Sequence, residues 1–119
     1  MTTVSTVVDD YIAAWNERDE ERRLELVQRA FATDGTYLDP ARSGAGTEGI
    51  AAMIAEAQGH FPDHHIELVA DPDAHHDRVR FTWQLFPEGA GPILTGYDYA
   101  TVAEDGRLRD VTGFAEPVG

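Results

Sequence analysis

Two hydrophobic periods divide this chain. Up to Phe61-Pro62 the apolar positions recur at helical spacing; beyond it they alternate. Val4, Val7, Val8, Tyr11, Ile12 and Trp15 form one stripe of an amphipathic helix over residues 4–17, with Asp9 and Asp10 on its polar side. Asp19 reads as the N-cap of a second helix, with Glu20 and Glu21 in the first turn, where the helix dipole favours acids. Leu24, Val27, Ala30 and Phe31 give that helix its inner face. Thr33-Asp34-Gly35 reads as a turn. Thr36 to Asp39 reads as a short strand stopped by Pro40, which lacks an N–H and holds Asp39 extended. Residues 41–46 read as loop. Thr47 then caps a third helix, with Ile50, Met53, Ile54 and Ala57 inward and Gly59 near its stop.

The second part predicts strands. His65 to Ala70 alternates moderately, and Asp71-Pro72-Asp73 is a turn. Val79, Phe81, Trp83 and Leu85 against Arg78, Arg80, Thr82 and Gln84 is the cleanest alternation in the chain. A Pro- and Gly-rich connection, 87–92, leads into a strand over Leu94 to Val102. Glu104-Asp105-Gly106 turns into a last strand, Leu108 to Phe114. Helices segregated from a run of antiparallel strands predict an α+β fold, helices on one face of a curved sheet.

Composition narrows the partners. The 119 residues suit one domain (1–119), and the formal net charge of -13, with no lysine, argues against nucleic acid and anionic membrane as partners. No apolar run approaches a membrane span. The start of the chain lacks the basic and apolar regions of a signal peptide, so a cytoplasmic location is expected. Without cysteine there is neither disulfide nor thiolate chemistry.

Strand parity singles out one acid. Leu94, Gly96, Asp98, Ala100 and Val102 share a face, on which Asp98 is the only ionisable group. A carboxyl there finds a partner, reaches water or keeps its proton, and in the last case it donates a hydrogen bond. Asp39, beside a loop, is a second acid in a contrasting environment, and Tyr11 offers a buried hydroxyl. Simpler readings exist for each: Asp39-Pro40 as a plain turn, Tyr11 as core, Asp98 satisfied by backbone or by Arg109. His60, His64, His65, His75 and His76 lack a ligand spacing, since neighbours on a strand point apart, so no metal is expected. No phosphate loop, nucleophile elbow or nucleotide fingerprint is present, and no cofactor is expected.

The order of elements, with Tyr11-Ile-Ala-Ala-Trp-Asn-Glu-Arg-Asp, Ala32-Thr-Asp-Gly-Thr-Tyr-Leu-Asp-Pro, Gly46-Thr-Glu-Gly-Ile and Tyr97-Asp98 followed by Asp105-Gly106-Arg107-Leu108, resembles the NTF2-like superfamily. Its SnoaL-like members are included, and the bacterial ketosteroid isomerases are most similar. The resemblance runs from Tyr11 to Phe114. It implies a cone-shaped, barrel-like α+β fold, three helices on a strongly curved, mostly antiparallel sheet around an apolar pocket, and a homodimer. It also implies a cofactor-free isomerase acting on a small apolar carbonyl compound. Asp39 would be the general base, with Tyr11 and a protonated Asp98 donating to the enolate oxygen. Trp15, Phe31, Ile54, Trp83 and Phe114 would line the pocket. Phe31 and Ile54 stand where some members carry supporting tyrosines, and Ala115 where a bulky aromatic can occur. A polyketide cyclase or lyase using Asp98, and a non-catalytic binder of apolar molecules, are the alternatives within the superfamily.

Overall fold

The helical and alternating stretches become helices and strands in a computed structural model that describes residues 3–119. Helix α1 (Val4–Asn16) is capped by Thr3, and α2 (Glu20–Ala30) by Asp19, whose carboxylate accepts the Arg22 N–H at 2.8 Å. Helix α3 (Gly46–His60) starts differently. Its N-cap, Ala45, has no side-chain bond to give, and Gly46 at φ 73° makes the turn instead of Thr47.

The strands are β1 (Phe31–Leu38), β2 (Ser43–Ala45), β3 (His64–Leu68), β4 (Asp73–His75), β5 (Arg78–Pro87), β6 (Leu94–Val102) and β7 (Leu108–Pro117). They form one sheet in the order β2-β1-β7-β6-β5-β3, with β4 also on β5. Every pairing is antiparallel except β1 with β7, which is parallel. The fold is α+β, three helices on a curved mixed sheet. The sheet ends at β2 and β3 and does not close, so it is an open cone, not a barrel.

The expected turn at Thr33-Asp34-Gly35 is instead part of β1, whose register against β7 shifts between Phe31 and Thr36. A Cβ on Gly35 would lie 3.0 Å from the Ala32 carbonyl oxygen and 3.1 Å from that of Arg109. That glycine therefore permits a bulge and a close backbone approach. Arg109 is held there by Asp34 at 2.9 Å, away from Asp98. Phe31, expected inside α2, is its C-cap and the first residue of β1. The segment expected as loop supplies the short strand β2, and β4 begins at Asp73, the last residue of the expected turn.

The inward residues of all three helices, among them Val7, Val8, Val27, Ile50 and Ile54, pack on Val79, Phe81, Ala100, Leu108 and Val111 of the sheet. Two polar side chains are buried where the helices meet, and both are satisfied. Arg23 donates to Gln58 Oε1 at 2.8 Å and to the Glu17 carbonyl at 3.1 Å, while the Gln58 amide donates to the Trp15 and Glu17 carbonyls. At the end of α1, Asn16 exchanges two hydrogen bonds with the backbone of Ile66, 2.8 and 2.9 Å, and so ties α1 to the β3 edge. These ties fix the end of α1 against β3 and α3.

Candidate active site

Asp98 sits mid-strand in β6, opposite Phe81 of β5 and Gly113 of β7, and is 1% exposed. Its carboxyl is asymmetric. Tyr11 Oη donates to Oδ2 at 2.7 Å, and Trp83 Nε1 donates to the same oxygen at 2.9 Å. Oδ1 is buried without a hydrogen-bond partner among the described residues. With both lone pairs of Oδ2 engaged, a proton on Asp98 resides on Oδ1. Burial raises the Asp98 pKa to about 6, the Tyr11 and Trp83 hydrogen bonds work against that rise, and the charge of Asp39 adds to it. Burial next to Asp98 also pushes the Tyr11 hydroxyl well above its ordinary value, so it stays a donor. Trp15, whose buried indole N–H lacks a well-formed hydrogen bond, faces the Tyr11 oxygen and opposes that shift.

Local sequence explains the aim of Trp83. It pairs across the sheet with Gly96, and a Cβ on Gly96 would fall 2.1 Å from the indole ring. Only a residue without a side chain lets the indole lie flat over β6 and turn its N–H toward Asp98.

Asp39 follows the end of β1. Its Oδ1 accepts the N–H groups of Ala41 and Arg42 at 2.8 and 2.9 Å, the tight turn that Pro40 sets up. Its Oδ2 accepts from the Tyr37 hydroxyl at 2.6 Å and lies 3.7 Å from Arg42 Nη1. Tyr37 is two residues upstream, so it shares the inward face. Oδ2 keeps a lone pair.

The acids meet over Gly113. A Cβ there would lie 2.8 Å from Asp98 Oδ1, 3.3 Å from Asp39 Cβ and 3.3 Å from Tyr37 Oη. The space that a side chain would fill is the floor of a cavity of about 220 Å³, lined by both acids, Tyr37, Arg42, Phe61, Trp83 and Leu94 among others. A smaller pocket of about 70 Å³ shares Arg42, Phe61, Trp83 and Leu94 with it and extends toward Trp15, Asn16 and Arg18.

Tyr11, Asp39 and Asp98 are thus brought together, but at different depths. Asp39 and Asp98 are on the cavity wall; Tyr11 is 1% exposed behind Asp98, and its proton is engaged there. Trp83 lines both pockets and Trp15 the smaller one. Phe31 and Ile54 lie in the closed core, at 1% and 0% exposure, Phe31 against the Tyr11 ring. Phe114 reaches the cavity rim, while its side chain stands on the outer sheet face against Tyr99, 56% exposed. Sequence reasoning passed over Tyr37, Arg42, Phe61, Leu94 and Gly113. Parity with Asp39 was the available signal for Tyr37, and pairing with Asp98 the one for Gly113.

The sequence matches the SnoaL-like domain family over residues 8–111. The chain is a SnoaL-like domain. An inferred isomerase of the SnoaL-like family from Agrobacterium tumefaciens is 40% identical, covers 98% of this chain and 99% of its own, and superposes with a TM-score of 0.90. An inferred polyketide cyclase from Sinorhizobium meliloti is 19% identical over 90% of this chain and 92% of its own, TM-score 0.67. A SnoaL-like polyketide cyclase, also inferred, from Jannaschia is 13% identical over 98% and 90%, TM-score 0.70. These last two share the fold. No curated protein matches the sequence. Among its described residues, this SnoaL-like domain has no helix long and apolar enough to cross a membrane.

Proposed function

We propose that this SnoaL-like domain is a cofactor-free isomerase that moves a proton along a small carbonyl compound. The observation that carries the reading is the paired geometry over Gly113. A buried carboxyl has one oxygen fully engaged and the other bare, and a second, better solvated carboxylate stands beside it. Asp39 Oδ2 takes a proton from the carbon next to the carbonyl. The C–H electrons become the enolate double bond, and the same proton returns at the γ carbon, so nothing is oxidised or reduced. Protonated Asp98 donates from Oδ1 to the enolate oxygen as charge builds there. Tyr11 and Trp83 are positioning residues, holding Oδ2 so that Oδ1 faces the substrate. The inferred isomerase at 40% identity supports this reaction class. A cavity of about 220 Å³ is smaller than the usual drug-sized pocket and favours one or two rings over a steroid.

A second reading, aldol closure of a polyketide-like chain, is favoured by a carboxyl poised near pKa 6 that gives or takes a proton. We also propose a homodimer through the outer sheet face. Leu38, Tyr99 and Phe114 are 56%, 47% and 56% exposed there on neighbouring strands, and sedimentation velocity tests it.

The deciding assay follows enone absorbance as β,γ-unsaturated ketones of increasing size, from 3-cyclohexenone to a ketosteroid, are offered to the wild type and to Asp39→Asn. Turnover that falls by roughly 100-fold or more in the variant is expected for loss of a general base. Absence of turnover with every ketone, together with no binding of a phenolic enolate mimic, would leave a non-catalytic domain.

A further inference from the structure

We infer that the substrate carries a carboxylate, and that Arg42 at the cavity mouth is the residue that selects it. The inference rests on the proposed placement of the reacting carbon between Asp39 and Asp98. Arg42 lines both the main cavity and the smaller pocket. Its side chain is 26% exposed, and among the described residues its guanidinium makes no hydrogen bond. The one carboxylate near it is Asp39, at 3.7 Å, beyond hydrogen-bonding distance. A half-buried guanidinium that spends none of its N–H groups on a protein acceptor offers a planar, two-point site for a carboxylate.

The surroundings reinforce the charge. Arg18, in the adjoining pocket, donates to the carbonyls of Gln58, Phe61 and His64 at 3.2, 3.1 and 2.9 Å. These acceptors orient its guanidinium, and among the described residues no carboxylate pairs with it. The mouth thus holds two guanidinium groups beside the one Asp39 carboxylate in a chain whose net charge is -13, so any attraction for an anion comes from these two side chains and not from the protein as a whole. The proposed proton transfer sharpens the need. When Asp39 takes a proton, Arg42 loses the one carboxylate within 4 Å of it among the described residues, and a substrate carboxylate keeps the guanidinium paired throughout. Phe61, Trp83 and Leu94, shared by both pockets, provide the apolar wall between the two ends. The substrate class is thus an unsaturated keto acid, apolar in the middle, with the carbonyl at Asp98 and the carboxylate at Arg42.

Two probes separate the ends. 2-Naphthol offers a hydroxyl for Asp98 and an apolar body, and 6-hydroxy-2-naphthoate adds a carboxylate at the far end. Their affinities are measured by calorimetry on the wild type, Arg42→Gln, Arg42→Lys and Asp98→Ala. The wild type is expected to bind the naphthoate at least tenfold more tightly than 2-naphthol, with the margin shrinking in high salt. Arg42→Gln should remove the margin by weakening the naphthoate alone, and Arg42→Lys should restore part of it. Equal wild-type affinities, with 2-naphthol binding still dependent on Asp98, would overturn the carboxylate inference and leave the proposed reaction standing. Equal weakening of both probes by Arg42→Gln would also overturn it, because Arg42 would then only shape the turn at Asp39. If the wild type binds neither probe, the inference and the cavity reading fall together.

Discussion

Replacing Asp98 with asparagine tests the burial argument without any substrate. The amide oxygen takes over the Tyr11 and Trp83 hydrogen bonds, and the NH2 group occupies the place of Oδ1. The substitution removes the charge and keeps the shape of the side chain. The native Asp98 pKa is about 6, against 3.8 for an unperturbed carboxyl. The native state therefore binds this proton more tightly than the unfolded chain does. Stability from that difference is complete below pH 3.8 and is lost as pH rises through 6. Relative to the neutral amide, the cost of keeping Asp98 is about 1 kcal/mol at pH 4.5 and about 3 kcal/mol at pH 8. The Asp98→Asn variant carries its own penalty, an unpaired buried NH2, of about 1–3 kcal/mol. That penalty does not titrate, so the change across pH is the clean observable. Urea unfolding of both proteins at pH 4.5, 6 and 8, followed by tryptophan fluorescence, should show the variant gaining about 2 kcal/mol on the wild type across that range. A difference independent of pH, or one of opposite slope, would refute the claim that Asp98 is desolvated in the fold.

Other consequences follow from the same geometry. For the isomerase reading, kcat/KM should fall about tenfold per pH unit above 6, because Asp98 must keep its proton; a rate that rises through 6 would make Asp98 a base and favour ring closure. Tyr11→Phe removes a hydrogen bond that lowers the Asp98 pKa, so this alkaline limb should move to higher pH. A slower rate with the limb unmoved would argue against Tyr11 acting through Asp98. Gly113→Ala places a methyl 2.8 Å from Asp98 Oδ1 and should cost at least 100-fold in activity while circular dichroism stays native; full activity would mean that the substrate does not sit over Gly113. Gly96→Ala must displace the Trp83 ring, with an expected cost of about 1–3 kcal/mol and a shifted tryptophan emission maximum.

Much of this was legible from period and parity. Asp98 announced itself as the one ionisable group on a face of small and apolar residues, and in the fold it is 1% exposed. The helices followed from their stripes, and Asp19 from its capping chemistry. What the sequence concealed depends on distant pairing. Gly35 looks like a turn residue until β7 is laid beside it, since only then does the Arg109 carbonyl crowd the position. Phe31 and Ile54 are apolar on the correct faces, but periodicity does not separate a cavity wall from a closed core. Phe114 lies one residue beyond Gly113, and that single step turns its side chain to the opposite face. Arg42 had no signal at all, because its meaning comes from Asp39 three residues back and from Trp83 and Leu94, which arrive from other strands.

The parallel pairing of β1 with β7 governs when the site comes into being. Asp39 extends from the end of β1 and Gly113 belongs to β7, whereas Tyr11 comes from the first helix. Each of the other strand pairs joins segments much closer in sequence. The β1–β7 ladder spans most of the chain, from Phe31 to Leu108, and loop closure on that scale is slow. As the chain emerges from a ribosome, α1 to β6 precede the strand that completes the floor between the two acids. Until β7 docks, β1 and β6 each present a bare edge, and Asp98 has its Tyr and Trp donors available but no neighbour in Asp39. Assembly of the candidate site and the removal of sticky edges are therefore one event, so a partly assembled chain exposes an aggregation-prone surface before its two acids are brought together.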